Sequence, residues 1–564
     1  MYVYTYENLK KAIDTENGKK IVQATKNVYE KLFKDKPIPV TNYSYYKLIY
    51  KDGNRDKHQA IYYERRRRFA LLQILALADD AYIDELEQSI NSLLEEYTWV
   101  LPAHNLQKDQ TFDYTVIDLF SSETGFYLSE TLYVMKDKLS PDIKNRIYRE
   151  LKSRIVDNYE SRTQLWDTLQ NNWAAVCGCG VGITYMYIFP ERFNLVKHRL
   201  LATMECYLSG TKEEGTTPEG VGYWVYGFGF FAHFFEIYTQ FTETYPEILS
   251  REKVKNSLKY ITNACLGGNS YLPFADGGSR YTKIHAPVSY TCKNLFGDDY
   301  VLPEYVIDDK FIESMVANTS KANSYRMIYG VDEFGLGDKR EPRQETIYYA
   351  QSEIFIHKDK KYAFAAKCGH NLEMHNHNDV ASFQIVVDGK GVIVDPGPPN
   401  YTWQYFNGSP EYRYGEEVYL AGSMGHSVPI VNGKYQKEGA KANGTILEHT
   451  ETNFKFDFAK AYGEGVESLI VNYQMHKDGV AVAYDCKGID ESITFHFLSF
   501  DEPKVNADGS VIVDKIKIKS TSGLTADVKR IEKDGHGAKK YVLYAIDYKV
   551  EGKKDVKEQF EFIV

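Results

Sequence analysis

The chain has 564 residues and a mass of 64.9 kDa, which excludes a single small fold and leaves room for two large domains. Its 68 basic and 78 acidic residues give a net charge of −10, which argues against binding to nucleic acids or to anionic membranes. No apolar run approaches the ~20 residues that span a bilayer, and the N-terminus does not resemble a signal peptide. We therefore expect a cytoplasmic protein, unless a signal peptide has been trimmed.

Up to about residue 330 the chain carries apolar side chains at helical spacing. The pattern predicts helices at 60–77, 115–134, 143–159, 169–188 and 192–208. Thr217-Pro218-Glu219 has the composition of a helix start with Thr217 as N-cap, and it predicts a helix over 220–241. That segment is apolar on nearly every side and should lie inside the fold. The four arginines at 65–68 could face an acidic substrate, but a solvated helix face is the expected position.

After about residue 340 the apolar period changes to two, which is typical of β-strands. The predicted strands are 382–387, 391–394, 427–431, 454–458, 480–484, 492–497 and 541–546. Asp388-Gly389, Asn432-Gly433 and Asp508-Gly509 predict tight turns between strands. Helices followed by strands indicate an α+β chain with a helical domain at 1–335 and an antiparallel β domain at 345–564.

The numbers of cysteines and tyrosines bear on the redox compartment of the protein and on the kind of ligand it binds. The seven cysteines are odd in number and scattered, which favours free thiols in a reducing compartment over a disulfide framework. Cys177 and Cys179 have no second pair nearby and are interpreted as small buried residues. The 47 tyrosines offer stacking faces and hydroxyls, as a carbohydrate groove requires, although tyrosine is also common in ordinary cores.

The densest polar cluster in the chain is GHNLEMHNHND at 369–379. Its His-x-His pair, His375 and His377, supplies two imidazoles, and Asp395 and His426 downstream would complete a zinc-type ligand set. The loop before the next strand would have to fold back to bring these side chains together. The alternative is a polar loop whose histidines cap turns.

A second group lies in the helical half, where Asn171, Asn172 and Trp173 open a predicted helix. Tyr223 and Tyr226 are three residues apart on the apolar helix and share one face, among glycines that allow close approach of a ligand. The ordinary interpretation is a helix cap and core tyrosines.

Arg280 closes the Gly-rich segment at 274–280. A guanidinium there could contact a substrate anion, and a plain loop between helices explains the same composition equally well.

Taken in order, these segments resemble the heparinase II/III-like polysaccharide lyases. The matching segments are NNW at 171–173, PEGVGYWVYG at 218–227, GHNLEMHNHND at 369–379, DPG at 395–397 and GHSVPIVNG at 425–433. Their order and spacing, from about residue 50 into the β domain, are more specific than any single motif. The resemblance implies an incomplete (α/α) toroid followed by an antiparallel β-sandwich.

The resemblance also implies roles for individual residues. The family's catalytic tyrosine lies a little over fifty residues after its Asn or His, and Tyr226 follows Asn172 by 54 positions, which selects it over Tyr223. The implied catalytic residues are Asn172, Tyr226 and His375. The implied metal ligands are His377, Asp395 and His426, which would hold one divalent ion, zinc or alternatively manganese, in a structural role. The predicted substrate-binding residues are Asn171, Trp173, Tyr223, Glu219, Arg280 and Tyr401.

The implied function is a lyase that cleaves uronic-acid-containing glycans by β-elimination, with heparan sulfate, chondroitin or hyaluronan as expected substrates. The expected partner is an acidic glycan, with no nucleic acid and no membrane, and the sequence is compatible with a homo-oligomer. An alginate-type oligouronide lyase is the closest rival. A toroid glycoside hydrolase, which would need a pair of carboxylates across the cleft, is the second enzyme class, and a non-catalytic glycan-binding protein is the non-enzymatic hypothesis.

One departure from the family carries an expectation of its own. Several members have a His after the first Asn, whereas this chain has Asn172. An amide has no basic nitrogen, so Asn172 cannot serve as a second base. We therefore expect linkages suited to syn elimination, with glucuronate or mannuronate, to be cleaved faster than those of their C5 epimers.

Overall fold

The computed structural model describes residues 3–105, 111–268, 270–278, 286–301, 312–313, 316, 324–334 and 343–564. Within these ranges helices dominate up to Phe334, and the large sheets begin at Glu345. The change of element type therefore falls where the change in apolar period predicts it. The division into two domains stays a prediction.

The N-terminal part alternates between helices that are buried all round and helices that bury one stripe. Every residue from 174 to 187 is buried, whereas the helix Pro141–Leu151 buries only Ile143, Ile147 and Leu151. This alternation of inner and outer helices is what a helical toroid requires. The α-helices are Tyr6–Ile13, Glu16–Leu32, Tyr43–Tyr46, Leu48–Asp52, Asp56–Ala78, Ile83–Leu94, Leu119–Met135, Pro141–Leu151, Asp157–Ser161, Asn172–Ile188, Phe193–Ser209, Val221–Tyr223, Gly229–Thr242, Glu252–Asn263, Ala286–Phe296 and Ser324–Phe334, and π-helical turns at Lys152–Val156 and Trp224–Phe228 continue two of them.

The predicted helices are confirmed, but one predicted helix start is wrong. Thr217-Pro218-Glu219 does not open the inner helix, which begins at Val221 after Gly220 as N-cap. Gly220 has a φ of 95°, and a Cβ there would stand 2.4 Å from the Gly277 Cα. The chain therefore turns at Gly220, and Glu219 points into the interior instead of lying in a first helical turn.

The expectation of a solvated arginine face at 65–68 is also wrong. Arg65, Arg66 and Arg68 are buried. Arg66 donates to both oxygens of Glu96 at 3.0 and 2.8 Å, Arg65 approaches the same carboxylate at 3.2 Å, and Arg68 donates to backbone carbonyls. Burial is tolerated because a shared carboxylate and carbonyl oxygens engage these guanidinium groups, although Arg68 Nε has no hydrogen-bond partner within the described residues.

A buried ion-pair network joins the first and last described segments of the helical ring. Arg326 donates to both oxygens of Glu130 at 2.9 and 3.1 Å and to Glu236 at 3.3 Å, while the Tyr4 hydroxyl donates to Glu236 at 3.0 Å. These four residues come from four separate segments. The network therefore ties the two ends of the ring to two inner helices.

The strands after Glu345 form antiparallel sheets. The five-stranded sheet has the strand order Glu345–Tyr349, Ile354–Lys358, Tyr362–Lys367, Phe383–Val387, Lys390–Ile393. The eight-stranded sheet has the strand order Thr445–His449, Asn453–Asp457, Ser468–His476, Gly479–Lys487, Asp555–Ile563, Ile516–Ser520, Val511–Val513, Lys504–Val505. The four-stranded sheet has the strand order Asp527–Gly535, Lys539–Glu551, Ser492–Ser499, Ile430–Val431. Two short pairs, His370–Asn371 with Gly439–Asn443 and Cys265–Gly267 with Ser270–Tyr271, complete the described strands.

The five-stranded sheet is the middle layer of the molecule. Along the strand Ile354–Lys358, Ile354 and Ile356 join the core of the helical part, whereas Phe355 joins the core against the eight-stranded sheet. Because successive side chains point to opposite faces, both faces of this sheet are covered. The loops at its edge are therefore placed directly against the helices.

Two of the three predicted turns are two-residue hairpin turns, and the third, Asp508-Gly509, lies in a five-residue connection between Lys504–Val505 and Val511–Val513. Asp388 and Gly389 have φ values of 49° and 73°, and Asn432 and Gly433 have 52° and 66°, as two-residue hairpin turns require. The predicted strand at 427–431 is reduced to Ile430–Val431. Its first half is turned by the hydrogen bond from the Val428 amide to the His426 carbonyl, which leaves His426 inside the fold.

Among the described residues, no single helix is long and apolar enough to cross a membrane, although the pair Asn172–Ile188 and Pro190–Ser209 passes by length and composition and is bent by 116°.

Candidate active site

A cavity of about 690 Å³ opens between the helices and the loops of the β part. The helical part contributes Asn172, Trp173, Tyr223 and Tyr226 to its lining, and the β part contributes His375, Tyr401, Trp403 and Phe406. Eight of its lining residues are Phe, Tyr or Trp, and most of the others are polar or charged, a composition that suits a sugar-binding site.

The start of the inner helix Asn172–Ile188 places Asn172 at the cavity. Asn171 is the N-cap and accepts a hydrogen bond from the Trp173 amide at 3.1 Å, so this side chain is used locally and does not line the cavity. Asn172 is the first helical residue, and its Nδ2 donates to Glu219 Oε1 at 2.8 Å. Its Oδ1 is buried and has no hydrogen-bond partner within the described chain.

Glu219 connects the helical part to the loop of the β part. The carboxylate is 4% exposed and lies behind the cavity wall. It accepts from Asn172, and His375 Nε2 approaches the same oxygen at 3.4 Å. Burial raises the pKa of Glu219, although the charge of His375 and the hydrogen bond from Asn172 act in the opposite direction. Glu219 thus fixes Asn172 and His375 relative to each other.

His375 is held in a strained backbone position. Its φ of 54° lies in the left-handed region, which costs a non-glycine residue about 1–3 kcal/mol. The imidazole stacks on Tyr223 with ring centroids 4.3 Å apart, and its Nδ1 lies 2.5 Å from Asp276 Oδ2. Each ring nitrogen therefore faces a carboxylate oxygen, one from Asp276 and one from Glu219.

Asp276 contacts three side chains of the site through its two carboxylate oxygens. Its Oδ2 contacts His375 and accepts from the Tyr401 hydroxyl at 2.5 Å, and its Oδ1 lies 3.0 Å from His377 Nε2. Burial alone would raise the pKa of Asp276, but hydrogen bonds and the charges of the two histidines outweigh it and hold that pKa well below its usual range. Ala275, the residue before it, also has a left-handed φ of 56°.

Tyr226 lies in the π-helical turn Trp224–Phe228, so it faces the cavity together with Tyr223. The Tyr226 hydroxyl donates to Glu123 on the helix Leu119–Met135. Burial raises the pKa of Tyr226 well above its usual value, and the charge of Glu123 and this hydrogen bond raise it further. The phenol is therefore protonated near neutral pH.

The loop that presents His375 is anchored by a buried lysine. Lys367 lies 2.9 Å from Asp379 and 3.4 Å from Glu373, and all three groups are largely removed from solvent. The Asn371 amide donates to Gln436 Oε1 at 3.0 Å. These contacts fold the loop back on itself, which the sequence spacing alone did not predict.

His377, Asp395 and His426 form a fully buried group that could hold one metal ion, with ligand atoms within 4.8 Å of one another. His377 Nδ1 and His426 Nε2 are buried imidazole nitrogens without a hydrogen-bond partner in the described chain. A buried unpaired nitrogen is costly unless something binds it, so these donors fit a metal. His377 Nε2 contacts Asp276, the kind of outer carboxylate that orients a metal-ligating histidine.

The structure thus brings most of the predicted site residues together. Asn172, Tyr226, His375, Trp173, Tyr223 and Tyr401 all line the cavity. Glu219 lies behind it, Asn171 caps a helix, and Arg280 lies outside the described residues. The catalytic and substrate-binding roles of these residues stay predictions.

Sequence reasoning gave no functional role to three residues that lie at the cavity or directly behind it. Asp276 lies in the Gly-rich segment at 274–280, where the sequence drew attention only to Arg280, and Glu123 carried no signal because a carboxylate inside an apolar helix has no motif. Arg55 lines the cavity, is paired with the Gln59 amide oxygen at 2.7 Å in the better amide orientation, and forms no ion pair within the described residues. No pattern around Arg55 distinguishes it from other arginines.

Comparison with known proteins supports the fold. Sequence comparison with family models and with curated proteins finds no match. Heparinase III is similar in structure with a TM-score of 0.58 and 13% identity, over 89% of this chain and 76% of its own. A mutant of the heparan sulfate lyase HepC from Pedobacter heparinus is similar with a TM-score of 0.58 and 12% identity, over 98% of this chain and 92% of its own. The Streptomyces coelicolor A3 chondroitin AC lyase, in complex with chondroitin sulphate, is similar with a TM-score of 0.57 and 8% identity, over 99% of this chain and 82% of its own. The predicted fold, a helical toroid followed by a β-sandwich of the polysaccharide-lyase type, is confirmed.

Replacing Gly220 with alanine should lower the unfolding temperature by more than the left-handed φ of Gly220 alone explains. The left-handed φ costs a non-glycine residue about 1–2 kcal/mol, and the added Cβ would also collide with the Gly277 backbone. Gly433→Ala is the matched control, because Gly433 has a φ of 66° and no atom within 4 Å of its Cβ position. Thermal unfolding should show a clearly larger loss for Gly220→Ala. Equal losses would contradict the tight contact.

Proposed function

We propose that the protein is a polysaccharide lyase that cleaves uronic-acid-containing glycans by β-elimination. The observation that carries the proposal is the single cavity lined by Asn172, Tyr226 and His375, in a chain with the fold of heparinase III and chondroitin AC lyase. Each of these side chains can supply a different part of one elimination.

The chemistry sets the requirement for these groups. The C5 proton of a uronate is weakly acidic because the adjacent carboxylate resists further negative charge, so its removal needs donors that neutralise that carboxylate. In this proposal Asn172 Nδ2, whose second hydrogen is not given to Glu219, and His375 Nε2, which lies 3.4 Å from Glu219, would donate to it. Tyr226 would take the C5 proton and afterwards protonate the departing 4-oxygen.

The cavity suits an acidic sugar chain. Its aromatic side chains, including Trp173, Trp403 and Phe406, offer stacking faces for sugar rings, and Arg55 adds a cation without a carboxylate partner in the described chain. The exposed fractions of Trp403 and Phe406, 43% and 42%, leave these rings available at the rim. Glycosaminoglycans such as heparan sulfate, chondroitin or hyaluronan are the proposed substrates, with alginate-type oligouronides as the rival.

The hydrolase hypothesis is less well supported by the geometry. A glycoside hydrolase needs two carboxyl groups facing each other across the substrate. Glu219 is buried behind the wall and held by Asn172, and both oxygens of Asp276 are engaged by side chains. Neither acid is free to protonate a leaving group or to activate water, and Asp56 is the one other acid on the cavity lining in the described chain, so no facing pair of free carboxyl groups is present there.

The metal has a supporting role in this proposal. His377, Asp395 and His426 would hold zinc, which two imidazoles and one carboxylate favour, with manganese as the second candidate. A metal bound there would fix the base of the loop that carries His375. The reacting groups come from the cavity wall.

The first test is a panel of uronic-acid glycans assayed by the ultraviolet absorbance of the unsaturated product, which only elimination creates. Tyr226→Phe should keep glycan binding and lose about 10²–10⁴-fold in turnover, because the phenol that moves the proton is gone. Tyr148→Phe, at an exposed position, should leave turnover unchanged. No absorbance with any glycan would refute the lyase, and binding without turnover in the wild type would favour a glycan-binding protein.

The metal can be tested by elemental analysis of protein purified without chelator, which should contain about one equivalent of a divalent ion. His377→Ala should lose that ion and lower the unfolding temperature together with activity, because the loop is no longer fixed. His476→Ala removes an exposed histidine and serves as control. A metal-free protein with normal stability would reduce the cluster to polar packing.

The departure at Asn172 predicts a substrate preference. In glucuronate the C5 proton and the 4-oxygen lie on the same side, so Tyr226 alone can serve both, whereas iduronate needs a second base on the other face. Asn172 is an amide and cannot be that base. Initial rates on hyaluronan should exceed those on iduronate-rich dermatan sulfate, and for alginate the mannuronate linkages should be favoured. Equal or faster cleavage of iduronate linkages would show that another residue supplies the base.

A further inference from the structure

Tyr226 has a buried carboxylate directly behind it. Its hydroxyl donates to Glu123 Oε1, and the second oxygen, Oε2, accepts from the Tyr127 hydroxyl at 2.7 Å. Glu123 is 3% exposed and does not line the cavity. Because both of its oxygens accept from phenols, the geometry matches an ionised carboxylate, which can only accept.

This arrangement bears on how Tyr226 can act as a base. Only the phenolate form of a tyrosine is basic, and burial disfavours that form in Tyr226. A neutral phenol can still take up a proton if it releases its own proton at the same moment. That release needs an acceptor on the side away from the substrate, and Glu123 occupies that side.

We propose that Glu123 accepts the phenolic proton of Tyr226 during the elimination, so that Tyr226 transfers a proton and never has to exist as a free phenolate. The proposal rests on the proposed lyase function and deepens it. Glu123 does not touch the substrate and is a positioning residue that acts through Tyr226.

The step balances without a co-reactant. The Tyr226 oxygen takes the C5 proton while its own proton moves to Glu123, and the electron pair of the C5–H bond passes into the enolate-like intermediate. When the C4–O bond breaks, that pair becomes the C4–C5 double bond. Tyr226 then protonates the departing 4-oxygen and recovers its proton from Glu123, so both residues end in their starting forms.

The surroundings leave Glu123 as the acceptor. The titratable and charged groups near it are Tyr63 and Arg66 on the helix Asp56–Ala78, Cys177 and Cys179 on the helix Asn172–Ile188, and Tyr127 and Asp118 on or beside its own helix. Burial raises the pKa of Tyr63, Tyr127 and both thiols, so they stay neutral. Arg66 is paired with Glu96, and Asp118 caps its helix and pairs with His104.

Glu123→Gln is the decisive variant, because its amide oxygen can still accept from Tyr226 and hold the ring but cannot take a proton. On the glycan that the wild type cleaves best, we expect kcat to fall by about 10²-fold or more with KM nearly unchanged. Tyr127→Phe, which removes the other contact to the same carboxylate, should cost less than about tenfold and controls for packing.

The pH dependence of the rate distinguishes a Glu123 that accepts the proton of Tyr226 from a Glu123 that only holds the Tyr226 ring in place. The Glu123→Gln rate should rise about tenfold per pH unit from pH 7 to 9, since only ionised Tyr226 can then react, whereas the wild-type rate should be nearly flat over that range. Full activity in Glu123→Gln, or parallel pH profiles, would overturn the proposal.

A measurement on the wild type covers the case in which Glu123→Gln does not fold. In a single turnover, cleavage of the C5–H bond should be about twofold slower in heavy water, because the exchangeable phenolic proton moves in the same step. Absence of a solvent isotope effect on that step would overturn the proposal while leaving the lyase function intact. A wild type that produces no unsaturated product from any glycan would instead overturn the proposed function, and this inference with it.

Discussion

The carboxylate of Asp276 is the interaction on which the arrangement of the site depends. It belongs to the helical part, yet it contacts His375, His377 and Tyr401, which all belong to the β part. One oxygen faces the histidine at the cavity and the other faces a histidine of the metal-type cluster. The cavity and the cluster are therefore oriented by one buried anion, and the two halves of the chain are held in register at the point where substrate would bind.

The sequence could predict features that follow from local spacing, but not features that follow from tertiary contacts such as those of Asp276. Periodicity predicted the helices and the change to strands, because amphipathic spacing reflects burial directly. The motif order predicted the cavity residues Asn172, Tyr226 and His375. The helix start at Thr217 failed because Gly220 must approach Gly277, a tertiary contact that overrides local capping preference.

Two of the missed residues share a physical reason. Glu123 and Asp276 contact partners that are distant in the chain, Tyr226 at 103 positions from Glu123 and His375 at 99 positions from Asp276. No spacing rule connects such positions before the fold is known. The buried Arg65 and Arg66 were misjudged for the same reason, since their common partner Glu96 is 30 positions from Arg66.

The position of the metal-type ligands along the chain ties the cluster to the cavity in a second way. Asp395 and His426 stand at the two ends of residues 396–425, the segment that carries Tyr401, Trp403 and Phe406 over the cavity. Holding the ends of a long segment together removes much of the entropy it would otherwise keep. His377 then adds the neighbouring loop, which carries His375. A cluster buried away from the cavity can in this way determine the shape of the cavity wall, and the elimination proposed at Tyr226 would require a wall that keeps water out while the proton moves.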